Sequence, residues 1–168
     1  MSVVRVDKDP QRLTMTITAE FAAALGDVWQ VWADPRKLER WWGPPTAPST
    51  FERHELEPGG TVTYFMSGPE GERFYGVWHV VAVDPPRSLH VEDSFADADG
   101  NVDPDMPTGQ MHMRLTEQDG RTRMELISVN ATKEEMQQLL DMGAAEGMQQ
   151  AIGQMDALLA QERPRPGD

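Results

Sequence analysis

The C-terminal stretch formed by residues 132–161 constrains the fold more than any other part of the sequence. Its apolar residues recur at steps of three and four: Met136, Leu139, Leu140, Met148, Ala151, Ile152, Met155, Leu158 and Leu159. Polar residues such as Glu134, Gln138 and Asp141 lie largely on the other side. This period predicts one long amphipathic helix of about 40 Å at about 1.5 Å per residue. Such a helix needs a broad apolar surface to cover it.

The start of this helix carries its own signal. Thr132 is placed as an N-cap, and Glu135 follows three residues later, as in a capping box. Further along, the apolar stripe drifts where Gly143 and Gly147 occur, and glycine is a poor helix former. The pattern therefore predicts a kink at these glycines, or a close approach of other backbone.

The remainder of the chain predicts an antiparallel sheet. Apolar residues alternate with threonines over residues 13–21, which is typical of a half-buried strand. Two short helices are expected over residues 22–33 and 36–42, separated by Asp34-Pro35. From Thr50 to the cap at Thr132, short strands alternate with tight turns. The order of elements indicates an α+β fold in which the sheet wraps around the C-terminal helix.

Length and charge limit the possible classes of protein. A chain of 168 residues suits one domain, which we expect over residues 13–161. Residues 1–12 would then be an N-terminal arm, and residues 162–168 a disordered tail rich in proline and arginine. The net charge of −13 repels phosphate backbones and anionic lipid headgroups. We therefore expect no nucleic acid and no membrane as a partner.

Several kinds of site are also disfavoured. The chain has no cysteine, no secretory h-region at its start and no apolar run near 18 residues, so a cytoplasmic protein is the default expectation. The histidines fall on different predicted strands without metal-ligand spacing: His54, His79, His90 and His112. We expect no metal and no cofactor. The oligomeric state stays open between a monomer and a homodimer paired through an edge strand.

A set of short segments, taken in order along residues 13–159, resembles the activator-of-heat-shock-chaperone-ATPase-homologue domain. This domain is part of the superfamily of StAR-related lipid-transfer, birch-pollen-allergen-like and polyketide-cyclase domains, and the nearest branch includes calicheamicin-resistance-like proteins. The segments are Asp34-Pro35, Trp41-Trp42-Gly43-Pro44, Pro58-Gly59-Gly60, Gly68-Pro69-Glu70-Gly71, Asp84-Pro85-Pro86-Arg87-Ser88-Leu89, Phe95 with Asp99-Gly100, Asp119-Gly120-Arg121-Thr122-Arg123, and Met142-Gly143 with Glu146-Gly147.

The resemblance implies the helix-grip fold. In this fold a curved antiparallel sheet of about seven strands grips the C-terminal helix, two short helices lie between strands 1 and 2, and an apolar cavity separates sheet and helix. Many members of the family place a tryptophan directly after the second helix glycine, where this chain has Met148. The resemblance therefore leaves the shape of the cavity near Met148 open.

The alternation of side chains along a strand selects residues for the wall of such a cavity. If the odd-numbered residues of the strands over residues 87–95 and 109–116 share one parity and face inward, they line it. The apolar candidates on the two central strands and the helix are Leu89, Val91, Phe95, Met111, Met113, Leu115, Met148, Ile152 and Met155. Methionine is flexible and polarisable, so a wall rich in methionine adapts to varied apolar ligands. The alternative is that these side chains simply fill a core.

Polar and aromatic candidates complete the predicted site. Asp93 shares the parity of Val91 and Phe95, so its carboxyl would be desolvated, with a raised pKa, and is a weak candidate for an acid or base. A bulge or an early strand end would instead place it in water. Further candidates are the polar tips of Tyr64, Tyr75 and Trp78, and a rim at the cavity mouth formed by Trp41 and Trp42. One of these last two tryptophans would equally well anchor the second short helix.

The function predicted from these features is binding of a small hydrophobic ligand that is aromatic, lipid-like or polyketide-like. No catalytic motif is visible in the sequence. The first alternative is an enzyme resembling polyketide cyclases or hydrolases, which would use the Asp93 carboxylate as acid or base. The second alternative is a co-chaperone-like protein that binds a protein partner, which the family resemblance alone suggests.

Overall fold

The computed structural model describes residues 3–162, which form an eight-stranded sheet and four helices. In chain order the elements are β1 (Val3–Asp9), β2 (Thr14–Phe21), α1 (Leu25–Ala33), α2 (Pro35–Leu38), β3 (Ser49–His54), β4 (Thr61–Ser67), β5 (Arg73–Asp84), β6 (Ser88–Ala96), β7 (Thr108–Gln118), β8 (Arg121–Val129), α3 (Lys133–Asp141) and α4 (Ala144–Glu162). Of the predicted tail, Glu162 closes α4, and residues 163–168 lie outside the described residues, as do residues 1–2.

All strands belong to one antiparallel sheet in the order β1-β2-β8-β7-β6-β5-β4-β3. The α+β class and the helix-grip fold are confirmed, with one strand more than the roughly seven implied by the resemblance. The additional strand is β1, which pairs with β2 where the sequence suggested an arm. Val3 and Val6 pack against the core from this strand, and β1 takes up the hydrogen-bonding edge that β2 would otherwise expose.

The C-terminal segment forms the expected long C-terminal helix, α4, preceded by a shorter helix, α3, so the prediction of one unbroken helix over residues 132–161 is wrong. α3 ends at Asp141, and Gly143, with a φ of +86°, separates it from α4. The N–H groups of Met142 and Gly143 donate to the carbonyls of Gln138 and Leu140, which completes the last turn of α3. Because residues with a side chain disfavour positive φ, a glycine at this position ends the helix. The expected kink is thus a complete break in the helix.

The N-cap of α3 lies where the sequence places it. The Thr132 Oγ1 atom accepts a hydrogen bond from the N–H of Glu135 at 3.1 Å. Replacing Thr132 with alanine is therefore expected to lower the free energy of unfolding by about 1 kcal/mol. Urea denaturation measures this loss, and Thr132→Ser, which keeps the accepting oxygen, serves as the control. Equal losses in the two variants would contradict the capping role.

The connection from α1 to β3 is organised by tryptophans. Asp34 caps α2 by accepting a hydrogen bond from the N–H of Arg36 at 2.9 Å. Beyond α2, the Trp41 indole N–H donates to the Val31 carbonyl at 2.8 Å inside the core. Trp41 therefore anchors this connection against α1.

Candidate functional site

A cavity of about 300 Å³ lies between the inner face of the sheet and the two C-terminal helices. The helices contribute Met136, Leu139 and Leu140 from α3, and Ala144, Gly147, Met148 and Ala151 from α4. Phe74 also belongs to the wall and is 56% exposed, so the cavity reaches the surface at this end of β5. The break at Gly143 matters here, because α3 and α4 supply separate parts of the wall.

Most of the wall is apolar and deformable. Five of the lining residues are methionines: Met15, Met66, Met111, Met136 and Met148. Their unbranched side chains adjust to differently shaped contacts. The polar groups of the wall belong mainly to Tyr64, Asp93, Gln110, Ser128 and Asn130. Polar recognition is therefore confined to a small part of the surface.

The residues selected from the sequence fall into two groups. Those on the cavity wall are Trp42, Tyr64, Tyr75, Asp93, Phe95, Met111 and Met148. The others are buried in the core and do not belong to the wall: Trp41, Trp78, Val91, Met113, Ile152 and Met155. Strand parity identified the inner face correctly for the residues selected on β6 and β7, but it does not indicate whether an inner side chain meets empty space or other side chains.

Aromatic rings fill the inner end of the molecule. Trp32 packs edge-to-face against Trp41, with ring centroids 4.7 Å apart, and Trp42 packs edge-to-face against Trp78 at 4.9 Å. Trp41 and Trp42 are therefore buried, and they do not form the solvent-facing rim that the sequence suggested. The surface end of the cavity lies near Phe74 instead.

The two tyrosines have different environments. Tyr64 is stacked on Phe51 at 5.0 Å within the core and reaches the cavity. Tyr75 borders the cavity, but its ring packs at 5.8 Å against Phe65, its direct partner on β4. Since Phe65 follows Tyr64 in the same strand, the Tyr75 ring lies on the opposite face of the sheet.

Tyr64 and Asp93 meet across β5. In the sheet register Tyr64 lies opposite Gly76, and Asp93 lies opposite Trp78. A Cβ atom at Gly76 would overlap the end of the Tyr64 phenol ring, so the ring occupies the space that this glycine leaves open. The phenol hydroxyl thereby extends towards Asp93 and interacts with it.

Burial raises the pKa of both members of this pair, Asp93 and Tyr64. Desolvation raises the pKa of Asp93 to about 7, although the neighbouring Tyr64 and Trp78 side chains favour the carboxylate. Desolvation also raises the pKa of Tyr64 well above its ordinary value, and the nearby Asp93 adds to this effect. Asp93 is only half-buried by surface area because it faces the cavity, yet protein atoms surround it closely. Near neutral pH this carboxyl exchanges a proton readily, while Tyr64 keeps its own.

Two indole N–H groups beside this pair lack hydrogen-bond partners. The Nε1 atoms of Trp42 and Trp78 are buried, and no acceptor meets them at hydrogen-bond geometry. Both indoles nevertheless interact with the Tyr64 hydroxyl and favour its ionised form. The Trp32 indole is also unpaired, but Trp32 does not belong to the cavity wall. The site thus combines a phenol, a carboxyl and unpaired N–H donors at one end of an apolar cavity.

Sequence reasoning missed several residues of the wall. Gly147 was interpreted as a site of a kink or of a close approach of other backbone, yet it lines the cavity, and a Cβ there would meet no atom within 4 Å. Gly76 carried a usable signal, because a glycine inside a strand often marks a close approach of another group. Met136, Leu139 and Leu140 were recognised as apolar stripe residues but not as a separate wall.

The described residues provide little for a metal ion or a membrane. Within residues 3–162, no three histidine, cysteine or acidic side chains are grouped so as to hold a metal ion. No helix in that range has the length and apolar character needed to cross a membrane.

His90 and His112 are direct cross-strand partners whose rings stack at 3.8 Å. His90 also hydrogen-bonds with Gln110 at 2.8 Å.

Comparison with solved structures shows close relatives. Protein Ms6760 from Mycobacterium smegmatis is 50% identical, with 94% of this chain and 96% of that chain covered and a TM-score of 0.87. A protein from Arthrobacter aurescens, solved by NMR, is 44% identical, with 95% and 93% covered and a TM-score of 0.91. CalU16 from Micromonospora echinospora, at 19% identity, 89% and 77% coverage and a TM-score of 0.60, is similar in fold alone.

Among curated proteins, none matches the chain. A family model does: the one described as Activator of Hsp90 ATPase homolog 1-like protein matches residues 22–160. The matched range begins before α1 and ends within α4, so it contains most of the cavity wall. With the solved relatives, this match shows that the chain belongs to the family of Activator of Hsp90 ATPase homolog 1-like proteins.

Proposed function

We propose that the protein binds a small hydrophobic ligand in the cavity between the sheet and the C-terminal helices. The observation that carries this proposal is an apolar, methionine-rich space of about 300 Å³ that reaches the surface near Phe74. A ligand that buries about 300 Å² of apolar surface gains about 7 kcal/mol before the cost of association is subtracted. Micromolar binding of an aromatic, lipid-like or polyketide-like molecule is therefore expected.

Two glycines of α4 provide a matched test. A Cβ atom at Gly147 or at Gly153 meets no atom within 4 Å, but only Gly147 lines the cavity. Leucine at either position should raise helix stability by about 0.5 to 1 kcal/mol, because glycine is a poor helix former. Gly147→Leu also projects a side chain into the cavity. We expect it to weaken binding of naphthalene at least about tenfold, which corresponds to about 1.4 kcal/mol.

Isothermal titration calorimetry with naphthalene measures both variants against the unmodified protein. Gly153→Leu controls for the gain in helix stability and is expected to bind within twofold of the unmodified protein. If Gly147→Leu binds naphthalene as tightly as Gly153→Leu does, the ligand does not occupy this cavity. If naphthalene and a wider panel of apolar compounds fail to bind the unmodified protein, the proposal is wrong.

A second candidate function is favoured by the Asp93–Tyr64 pair. A buried carboxyl whose pKa is about 7 is suited to general acid–base work at neutral pH. In that case the ligand is a substrate, such as a polyketide-like compound that loses or gains a proton beside the carboxyl. Asp93→Asn separates the two functions, because it would abolish turnover but alter simple binding only modestly. Product formation during incubation with candidate substrates is the measurement.

A further inference from the structure

We infer that the inner end of the cavity recognises an uncharged carbonyl oxygen on the apolar ligand, held by the Trp42 indole N–H and the Tyr64 hydroxyl beside Asp93. This inference rests on the proposed ligand binding and names the chemical class of the ligand. The ligand would be a compact ketone or amide whose apolar body lies between the methionines. Its oxygen would point away from Phe74, towards the tryptophan cluster.

The first support is the pair of unpaired indole N–H groups. Trp42 is 3% exposed and Trp78 is 0% exposed, and neither Nε1 atom has a hydrogen-bond partner. Buried donors without partners are uncommon in folded proteins because their desolvation is not compensated. Trp42 and Tyr64 both line the cavity, and the Trp42 indole interacts with the Tyr64 hydroxyl. A ligand oxygen placed beside Tyr64 would give the Trp42 N–H an acceptor.

The second support is the balance of donors and acceptors at this end. The indoles of Trp42 and Trp78 only donate, the Tyr64 hydroxyl donates one hydrogen bond and also accepts, and the Asp93 carboxyl accepts. When Asp93 is protonated, its own O–H becomes a further donor. The two indole N–H groups lack an acceptor at hydrogen-bond geometry, so an additional acceptor oxygen beside Trp42 completes the set. A ligand ammonium group would add donors instead.

The third support is that Tyr64 is held in place. Its ring stacks on Phe51 at 5.0 Å and contacts Trp78 at 6.0 Å and Trp42 at 6.1 Å. Gly76 leaves the space that the phenol occupies. A donor fixed in this way loses little conformational freedom when a ligand binds, which favours recognition of one polar group by geometry.

A pair of probes of equal shape tests the inference in the unmodified protein. In 2-isopropenylnaphthalene a methylene group replaces the carbonyl oxygen of 2-acetylnaphthalene, so the two differ mainly in the acceptor. We expect the ketone to bind about fivefold tighter at pH 7, as one or two net hydrogen bonds would give. Isothermal titration calorimetry measures both. A third probe, 2-(aminomethyl)naphthalene, tests the opposite preference for a cation.

Variants of the hydrogen-bond donors locate the preference for the ketone over the alkene. Tyr64→Phe should reduce the ratio between ketone and alkene to about twofold or less, while the alkene binds as before. Trp32→Phe removes an indole N–H that is also buried and unpaired but does not belong to the cavity wall, and it should leave the ratio unchanged. A ratio that survives in both Tyr64→Phe and Trp42→Phe would overturn the inference, because the oxygen would then be bound elsewhere.

The probes also separate this inference from the proposed function. If the alkene binds but the ketone binds no tighter, or if the amine binds tightest, carbonyl recognition is overturned and hydrophobic ligand binding stands. If neither neutral probe binds, both proposals fall. The comparison of the two neutral probes needs no variant, so it holds even if Tyr64→Phe fails to fold.

Discussion

Replacing Asp93 with asparagine is expected to raise the free energy of unfolding at pH 8 by about 4 kcal/mol. Burial raises the pKa of this carboxyl from 3.8 to about 7 in the folded protein. The folded state therefore binds the proton more tightly than the unfolded state does. Stability is highest below about pH 4, falls as the pH rises through about 7, and then levels off. Asparagine carries no charge at any of these pH values, so the variant avoids this loss.

Urea denaturation at half-unit steps from pH 5 to pH 8 measures the difference between the two proteins. The advantage of Asp93→Asn should grow by about 2 to 3 kcal/mol over this range. Asp156→Asn, which removes a carboxylate from the exposed side of α4, is the control and should show no such growth. If the stability of Asp93→Asn runs parallel to that of the unmodified protein, Asp93 is ionised in the folded state throughout, and the desolvation argument is wrong.

The placement of Asp93 shows what a sequence pattern conveys. The period of two along β6 placed Asp93 with Val91, and both residues face inward in the structure. Parity specifies a face, but it carries no information about depth. Trp78 shares the inner face and is enclosed by other rings, whereas Phe95 borders empty space. Whether an inward-facing side chain is enclosed in the core or borders the cavity depends on the volumes of side chains that are distant in sequence.

The prediction of one unbroken C-terminal helix is wrong for a similar reason, because a sequence pattern does not show how distant parts of the chain pack. The apolar stripe continues from Met136 to Leu159 because both α3 and α4 bury an apolar side. A periodic pattern predicts helix on both sides of Gly143 and does not reveal the change of direction between them. Gly143 was noted as a poor helix former, and only its positive φ in the structure shows that the helix ends there.

For β1, residues 3–9 alternate too weakly to indicate a strand, and pairing with the edge of β2 determines their structure.

Replacing Gly76 with alanine is expected to destabilise the protein by about 3 kcal/mol, at the upper end of what overpacking costs. The added methyl group would overlap the Tyr64 phenol, which stacking on Phe51 and contact with Trp78 hold in place. The phenol hydroxyl would be displaced from Asp93 if the ring moved. The same substitution should therefore also remove the preference for a carbonyl ligand.

A double-mutant cycle isolates the contact responsible. In a Tyr64→Ala background the ring is absent, so Gly76→Ala should cost less than about 1 kcal/mol, which gives a coupling energy of about 2 kcal/mol. Gly26→Ala, at a glycine of α1 whose Cβ meets no atom within 4 Å, should have the same effect in both backgrounds. Urea denaturation of the four proteins of each cycle gives the coupling energies. A Gly76→Ala cost that does not depend on Tyr64 would mean that the phenol does not lie over Gly76. The hydroxyl would then lack the position from which it reaches both Asp93 and the cavity.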